Sequence, residues 1–162
     1  NPTPAHTDAG IDGLHSSGIR AAFFHGSPKP DPKPGQKPFW EVPHPRTEVE
    51  RLLKTRFSSK DQLLTLGLAI LGPHYSTYEV AVEDFKLARE MGLIASMHCA
   101  GAAARVPDGW DRLAQAGLLG DNNNIVHGND LTDAQLKFML DKGVTFSLTP
   151  ETEMFQIGRA HV

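Results

Sequence analysis

Apolar residues gather in five short runs, at 19–25, 63–71, 93–98, 124–127 and 144–148. Each run is nearly continuous rather than alternating, which is the pattern of parallel strands covered on both faces. The stretches between them carry helical signals. Residues 5–17 and 48–57 predict helices ahead of the first and second strands. Between residues 76 and 92, Ser76 and Glu79 stand at capping-box spacing and Tyr78, Ala81, Phe85 and Ala88 share one helical face. Gly92 supplies the stop. Another helix is predicted over 109–116, ending near Gly117. Thr132 and Gln135 form a second capping box, Leu131 and Leu136 are spaced to staple it, and Gly143 closes that helix. Strand–helix alternation with short connections predicts βαβ units. An open doubly wound sheet and part of a (β/α)8 barrel both fit this α/β pattern.

One connection is out of scale. Residues 26–46 hold Pro28, Pro30, Pro32, Pro34, Pro38, Pro43 and Pro45, with Phe39 and Trp40 side by side. A loop of roughly 20 residues in a compact domain is either a functional lid or a mobile segment. Alternating proline also reads as a stiff, extended spacer. Because the loop follows a strand, it is expected on the C-terminal face, where barrel active sites lie.

Composition narrows the class. The chain has 162 residues, 40% hydrophobic and 22% charged, with net charge -3, as expected of a soluble globular chain with one core. No basic block points to nucleic acid, and no apolar run approaches the roughly 18 residues of a membrane span. The opening Asn1-Pro2-Thr3-Pro4 lacks the pattern of a signal peptide. Cys99 is the single cysteine, so no internal disulfide can form and a cytoplasmic location is expected. Eight histidines are the first hint of chemistry.

Two of them occupy matched positions. His98 ends the third run and His127 ends the fourth, so both emerge at the C-terminal ends of consecutive strands. Adjacent strands lie about 4.8 Å apart, close enough for two imidazoles to converge on one ion. A catalytic metal needs about three protein ligands and an open position. Spacing alone equally fits structural histidines with satisfied hydrogen bonds. His74 follows the second strand and is a candidate substrate contact or an ordinary loop histidine. Glu151 and Glu153 lie past the last strand and are candidate acid–base groups or solvated carboxylates. His25 is given no role, and His6, His15 and His44 are expected on the surface. Cys99, next to His98, reads as a small buried residue rather than a nucleophile, since no separate base is apparent for it.

Taken together, these segments resemble a family. Met97-His98, then Ile125-Val126-His127-Gly128-Asn129-Asp130-Leu131-Thr132, is similar to the fifth- and sixth-strand signature of the amidohydrolase superfamily. Ser147-Leu148-Thr149-Pro150-Glu151-Thr152-Glu153-Met154 resembles the seventh-strand region of a subgroup related to cytosine deaminase and the triazine hydrolases, and the opening residues 1–9 do so too. The resemblance implies a partial (β/α)8 barrel, about strands 3 to 7, over residues 1–156. It makes His98 and His127 ligands of one divalent metal ion, zinc or iron. The His-x-His pair of the first strand and the aspartate of the eighth would lie outside this chain, as a complete barrel of about 250 residues requires. One position departs from the pattern: Gly101 stands where deaminases of the family carry a proton-shuttling glutamate. Glu151 would then move the proton, or the reaction is a different hydrolysis. Residues 157–162 read as the translation of a sequencing adapter, a non-native tail that leaves His161 without meaning.

The expectation is therefore a fragment of a metal-dependent hydrolase that cleaves C–N bonds of a heterocyclic or related small molecule through a metal-activated water. His74 would contact substrate. The fragment alone is expected to be inactive and aggregation-prone, with no nucleic-acid or membrane partner; a homo-oligomer is allowed for the longer parent. The rival is a non-catalytic α/β small-molecule-binding module with structural histidines.

Overall fold

All five apolar runs are strands in the computed structural model, which describes residues 3–26, 31–101 and 103–155. The adapter-like tail 157–162, the opening Asn1 and Pro2, and Pro28 and Pro30 lie outside the described residues. In chain order the elements are α1 (Pro4–Ser16), β1 (Ala21–Gly26), α2 (Arg46–Thr55), β2 (Leu64–Ala69), α3 (Gly72–Tyr75), α4 (Tyr78–Glu90), β3 (Ile94–Cys99), α5 (Gly109–Gln115), β4 (Asn123–His127), α6 (Asp133–Asp141), β5 (Thr145–Ser147) and α7 (Pro150–Phe155). Among the described residues no helix is long and apolar enough to cross a membrane.

Strand order decides between the two architectures. The sheet runs β1-β2-β3-β4-β5, with every neighbouring pair parallel. A doubly wound sheet reverses its order at a switch point. No reversal occurs here, so the winding is that of a (β/α)8 barrel, of which the described strands form five.

The two faces of the sheet differ. In β3, Ala95, Met97 and Cys99 are buried while Ile94 and His98 are exposed; in β2, Leu64, Leu66 and Leu68 are buried while Thr65 is exposed. The core thus lies between one face and the helices, where Leu52, Phe85, Leu113 and Met139 meet Leu68, Met97 and Ile125. Each such side chain contributes roughly 1.5–3 kcal/mol by leaving water. Sequence continuity predicted cover on both faces, but nothing among the described residues covers the other one, and Ile94 is left 46% exposed.

That open face carries a polar ladder. Ser96 Oγ donates to Asn124 Oδ1 at 3.0 Å, Asn124 Nδ2 donates to Thr145 Oγ1 at 3.0 Å, and Ser147 Oγ donates to Asn124 Oδ1 at 3.2 Å. One amide therefore ties β3, β4 and β5 together just below the ends of the strands. On β1 and β2, Phe24 lies across Gly67 so closely that a Cβ there would sit 2.4 Å from the ring.

Two local expectations need correction. Ser76 is not the cap of α4: Thr77 Oγ1 accepts from Val80 N–H at 3.4 Å, and Ser76 Oγ donates to Gly72 O at 2.8 Å. The short helix α3, which no sequence pattern announced, takes Ser76 as its own end. The capping box at Thr132 and Gln135 is present as expected.

His44 is buried rather than on the surface. Its Nε2 shares a 2.9 Å hydrogen bond with His25 Nδ1, and its backbone N–H donates to Asp84 Oδ1 at 2.7 Å. The proline-rich connection is thus pinned at its far end to β1 and α4. Upstream, a 3-10 turn at Phe39–Glu41 places Trp40, whose carbonyl accepts from Thr77 N–H at 3.0 Å and whose ring lies 4.3 Å under the Arg105 guanidinium. The connection is docked from Pro38 to Arg46, whereas residues 31–37 are exposed.

Burial pushes the Asp84 carboxyl up to about 7 and the His44 imidazole down to about 4. The two have opposite linkage. Native Asp84 holds its proton more tightly than the unfolded chain, so its contribution is full at low pH and lost as pH rises through about 7. Native His44 resists protonation, so its contribution is present above the ordinary histidine range and lost as pH falls towards about 4. Asp84→Asn keeps an oxygen for the His44 N–H and removes only the first effect. The variant should be more stable than wild type at neutral pH by on the order of 1–2 kcal/mol. Its urea midpoint should then drop more steeply on acidification from about pH 6.5 to 4.5; parallel profiles for the two proteins would contradict the linkage.

Candidate metal centre at the strand ends

His98 points where strand alternation sends it. It shares the open face with Ile94 and Ser96, and it pairs in register with Val126. His127 does not. Its register partner is Cys99, a fully buried residue on the helix side, so regular extended geometry would bury the His127 ring in the core. Instead His127 has φ +72°, and it is the one non-glycine residue with positive φ among the described residues. The left-handed backbone swings the ring across the strand end, and it stacks on His98 with centroids 5.3 Å apart and planes 17° from parallel. Gly128 follows at φ +85° and returns its N–H to Cys99 O at 3.1 Å. A non-glycine residue held in this region costs on the order of 1–3 kcal/mol and such strain collects at functional sites.

A carboxylate holds the turned ring. Glu153 Oε1 lies 2.7 Å from His127 Nδ1. The same oxygen accepts from Thr149 N–H at 3.0 Å and from Thr149 Oγ1 at 3.2 Å. These partners, the Thr149 N–H first and the His127 ring next, keep the Glu153 carboxyl below the usual carboxylate range. Glu151 lies on the exposed side of α7, and no described contact brings it to the histidines. The sequence named both glutamates as candidates and leaned towards Glu151; Glu153 is the one that meets the site. The available signal was Pro150 opening a helix after Thr149, which puts Glu153 one turn along and back over the strand end.

His74 sits deeper than a loop residue. It lies in α3 and is buried, its ring packs edge-on against Tyr75 at 4.8 Å, and its Nε2 is 3.6 Å from Asp130 Oδ2. Both ring nitrogens lack a hydrogen-bond partner among the described residues. Asp130 is three residues beyond His127 in the β4–α6 connection, so His74 faces the same end of the sheet. Arg105, under whose guanidinium Trp40 lies, also donates its backbone N–H to His74 O at 2.9 Å. The proline-rich connection is therefore docked beside this histidine. Cys99 is buried, and burial pushes its thiol up to about 11, in keeping with a packing residue rather than a nucleophile. Gly101 has φ +95°, a conformation glycine adopts freely, and a glutamate placed there would be strained.

The donor set fits part of a metal centre. His127 has its Nδ1 engaged by a carboxylate, which leaves Nε2 as the nitrogen to offer. Imidazole lone pairs lie in the ring plane, so two stacked rings present them side by side. Sharing one ion requires a turn of the exposed His98 ring about χ2. No described group of three or more histidine, cysteine, aspartate or glutamate residues surrounds such a point. Two imidazoles would be fewer than the roughly three protein ligands that a catalytic zinc uses.

No family model and no curated protein matches the sequence. Solved structures do match in fold. A mutant of atrazine chlorohydrolase from Arthrobacter aurescens, complexed with zinc and atraton, superposes with a TM-score of 0.69 at 18% identity over 93% of this chain and 36% of its own. An adenosine deaminase from Xanthomonas campestris with bound zinc gives 0.53 at 21% identity, over 71% of this chain and 30% of its own. Aminofutalosine deaminase from Helicobacter pylori gives 0.57 at 14% identity, over 85% and 39%. The chain therefore spans 30–39% of the length of these proteins, and at these identities the likeness is one of fold.

The backbone at His127 can be tested directly. Replacement by glycine and replacement by alanine both remove the imidazole, so the two variants differ only in how they tolerate a left-handed backbone. His127→Gly should be more stable than His127→Ala by about 1 kcal/mol in urea denaturation. An alanine variant as stable as the glycine one would mean that the backbone there is not left-handed in solution.

Proposed function

We propose that this chain is a central portion, about strands 3 to 7, of a metal-dependent hydrolase of the amidohydrolase superfamily. Its substrate would be a heterocyclic or related small molecule whose C–N bond is cleaved. The observation that carries the reading is the left-handed turn at His127, which takes an imidazole out of a core position and lays it against His98 at the C-terminal end of the sheet. A histidine serving only as packing or as a hydrogen-bonded strand end needs no such backbone, which favours the hydrolase over a non-catalytic binding module. Barrel enzymes build their sites at this end of the strands, and the superposed zinc-containing structures support the same class.

In this reading His98 and His127 hold one divalent ion, zinc or iron. Such an ion supplies a Lewis acid and a nucleophile from water near neutral pH. Glu153 keeps His127 in place. His74, buried with unpartnered nitrogens behind Asp130, is set to meet the substrate from the β2 side. Gly101 offers no side chain to carry a proton; Glu151 is the carboxylate proposed for that task, and from its exposed place at the start of α7 it would have to turn in towards the strand ends. A small-molecule substrate, a cytoplasmic location and self-association of the longer protein belong to the same proposal.

Recovering the sequence on either side of this reading frame tests the class. A His-x-His pair upstream and an aspartate ending a later strand, within the roughly 250 residues of one barrel, would complete the ligand set. Intact flanks without both would return His98 and His127 to structural residues. In the completed protein, His98→Ala should abolish bound metal by elemental analysis, and unchanged metal content would contradict the assignment.

A further inference from the structure

We infer that Glu153 is a positioning residue that fixes the tautomer of His127, with the proton on Nδ1 and the lone pair on Nε2. The inference follows from counting donors at one oxygen. Glu153 Oε1 is within hydrogen-bond distance of Thr149 N, Thr149 Oγ1 and His127 Nδ1, at 3.0, 3.2 and 2.7 Å. The Thr149 N–H can only donate. An oxygen receiving that bond, from a carboxylate with no proton of its own, is an acceptor towards the imidazole too. Thr149 Oγ1 also lies 3.3 Å from His127 Nδ1, but its proton is directed to Glu153 Oε1 at 3.2 Å. Nδ1 is therefore the donor to the nearer carboxylate oxygen, and 2.7 Å is the length of a charge-assisted N–H···O bond. The hydrogen bond made by one ring nitrogen decides what the other can do.

The arrangement is assembled from three separate elements. The left-handed backbone at the end of β4 aims the ring. The stacked His98 ring from β3 limits its tilt. The first turn of α7, starting at Pro150 beyond β5, delivers the carboxylate. Removing Glu153 leaves the first two in place, so the ring would stay near His98 while losing the group that chooses its proton. Unconstrained imidazoles favour the proton on Nε2, and the choice should then reverse. The tautomer claim stands on its own; its consequence for metal affinity rests on the hydrolase reading above.

The test is a two-bond proton–nitrogen correlation spectrum of the 15N-labelled 162-residue chain, with no added metal, at about pH 8, above the ordinary histidine range. The expected result is Nδ1–H at His127 in wild type and Nε2–H in both Glu153→Ala and Glu153→Met. The methionine variant is near in size and guards against a folding defect in the alanine one. His15, exposed on α1, serves as the internal reference. Nε2–H in wild type overturns the proposal without recourse to any variant, and so does Nδ1–H that persists in a folded variant. Zinc titration separates the two ideas: affinity reduced about 10–100-fold in Glu153→Met supports both. Nδ1–H in wild type, together with a completed protein that binds no zinc, supports the role of Glu153 and counts against the metal reading alone.

Discussion

The register between β3 and β4 sets everything at the strand ends. Pairing of Met97 with Ile125, His98 with Val126 and Cys99 with His127 brings the two histidines to the same height on neighbouring strands. A slip of one residue would move an imidazole by about 3.3 Å along the sheet and turn it to the opposite face. Asn124 guards that register from the open side, because its amide bonds Ser96, Thr145 and Ser147 at once. From the helix side, the buried Met97 and Ile125 do the same by packing. The strand ends are therefore held from both faces, beside the strained residue at 127.

Register alone would still have separated the rings. Alternation puts His98 on the open face and His127 on the core side, and only a backbone that leaves the extended region brings them together. The sequence contains Gly128 after His127, which hints at a turn, yet nothing in residue type says that the histidine itself adopts positive φ. The matched positions of His98 and His127 were legible, because they follow from where two apolar runs stop. The means by which the rings meet was not, since it depends on a torsion that tertiary contacts impose.

The same distinction runs through the rest of the chain. The strands, the helices α1, α2, α4, α5 and α6 and the Thr132 cap are readable because each follows from local spacing, whereas α3 and α7 are not. The cap of α4 was misread by one residue, since the four-residue α3 claimed Ser76. His44 was misplaced because its burial depends on partners 19 and 40 residues away, His25 and Asp84. Glu151 and Glu153 stand two positions apart, about half a helical turn, so one faces the solvent and the other His127. Continuous apolar runs were read as strands covered on both faces, but the described chain covers one. The uncovered face holds Ile94 beside the polar ladder, a mixture that suits the interior of a barrel closed by further strands.

The central claim is that the paired strand ends contribute two imidazoles to a metal centre, and X-ray absorption at the zinc edge of the zinc-loaded chain measures it most directly. Two imidazole scatterers with zinc–nitrogen distances of about 2.0–2.1 Å, lost in a chain lacking both His98 and His127, are the expected result. A shell of oxygen alone, or an imidazole signal that survives that double substitution, would contradict it.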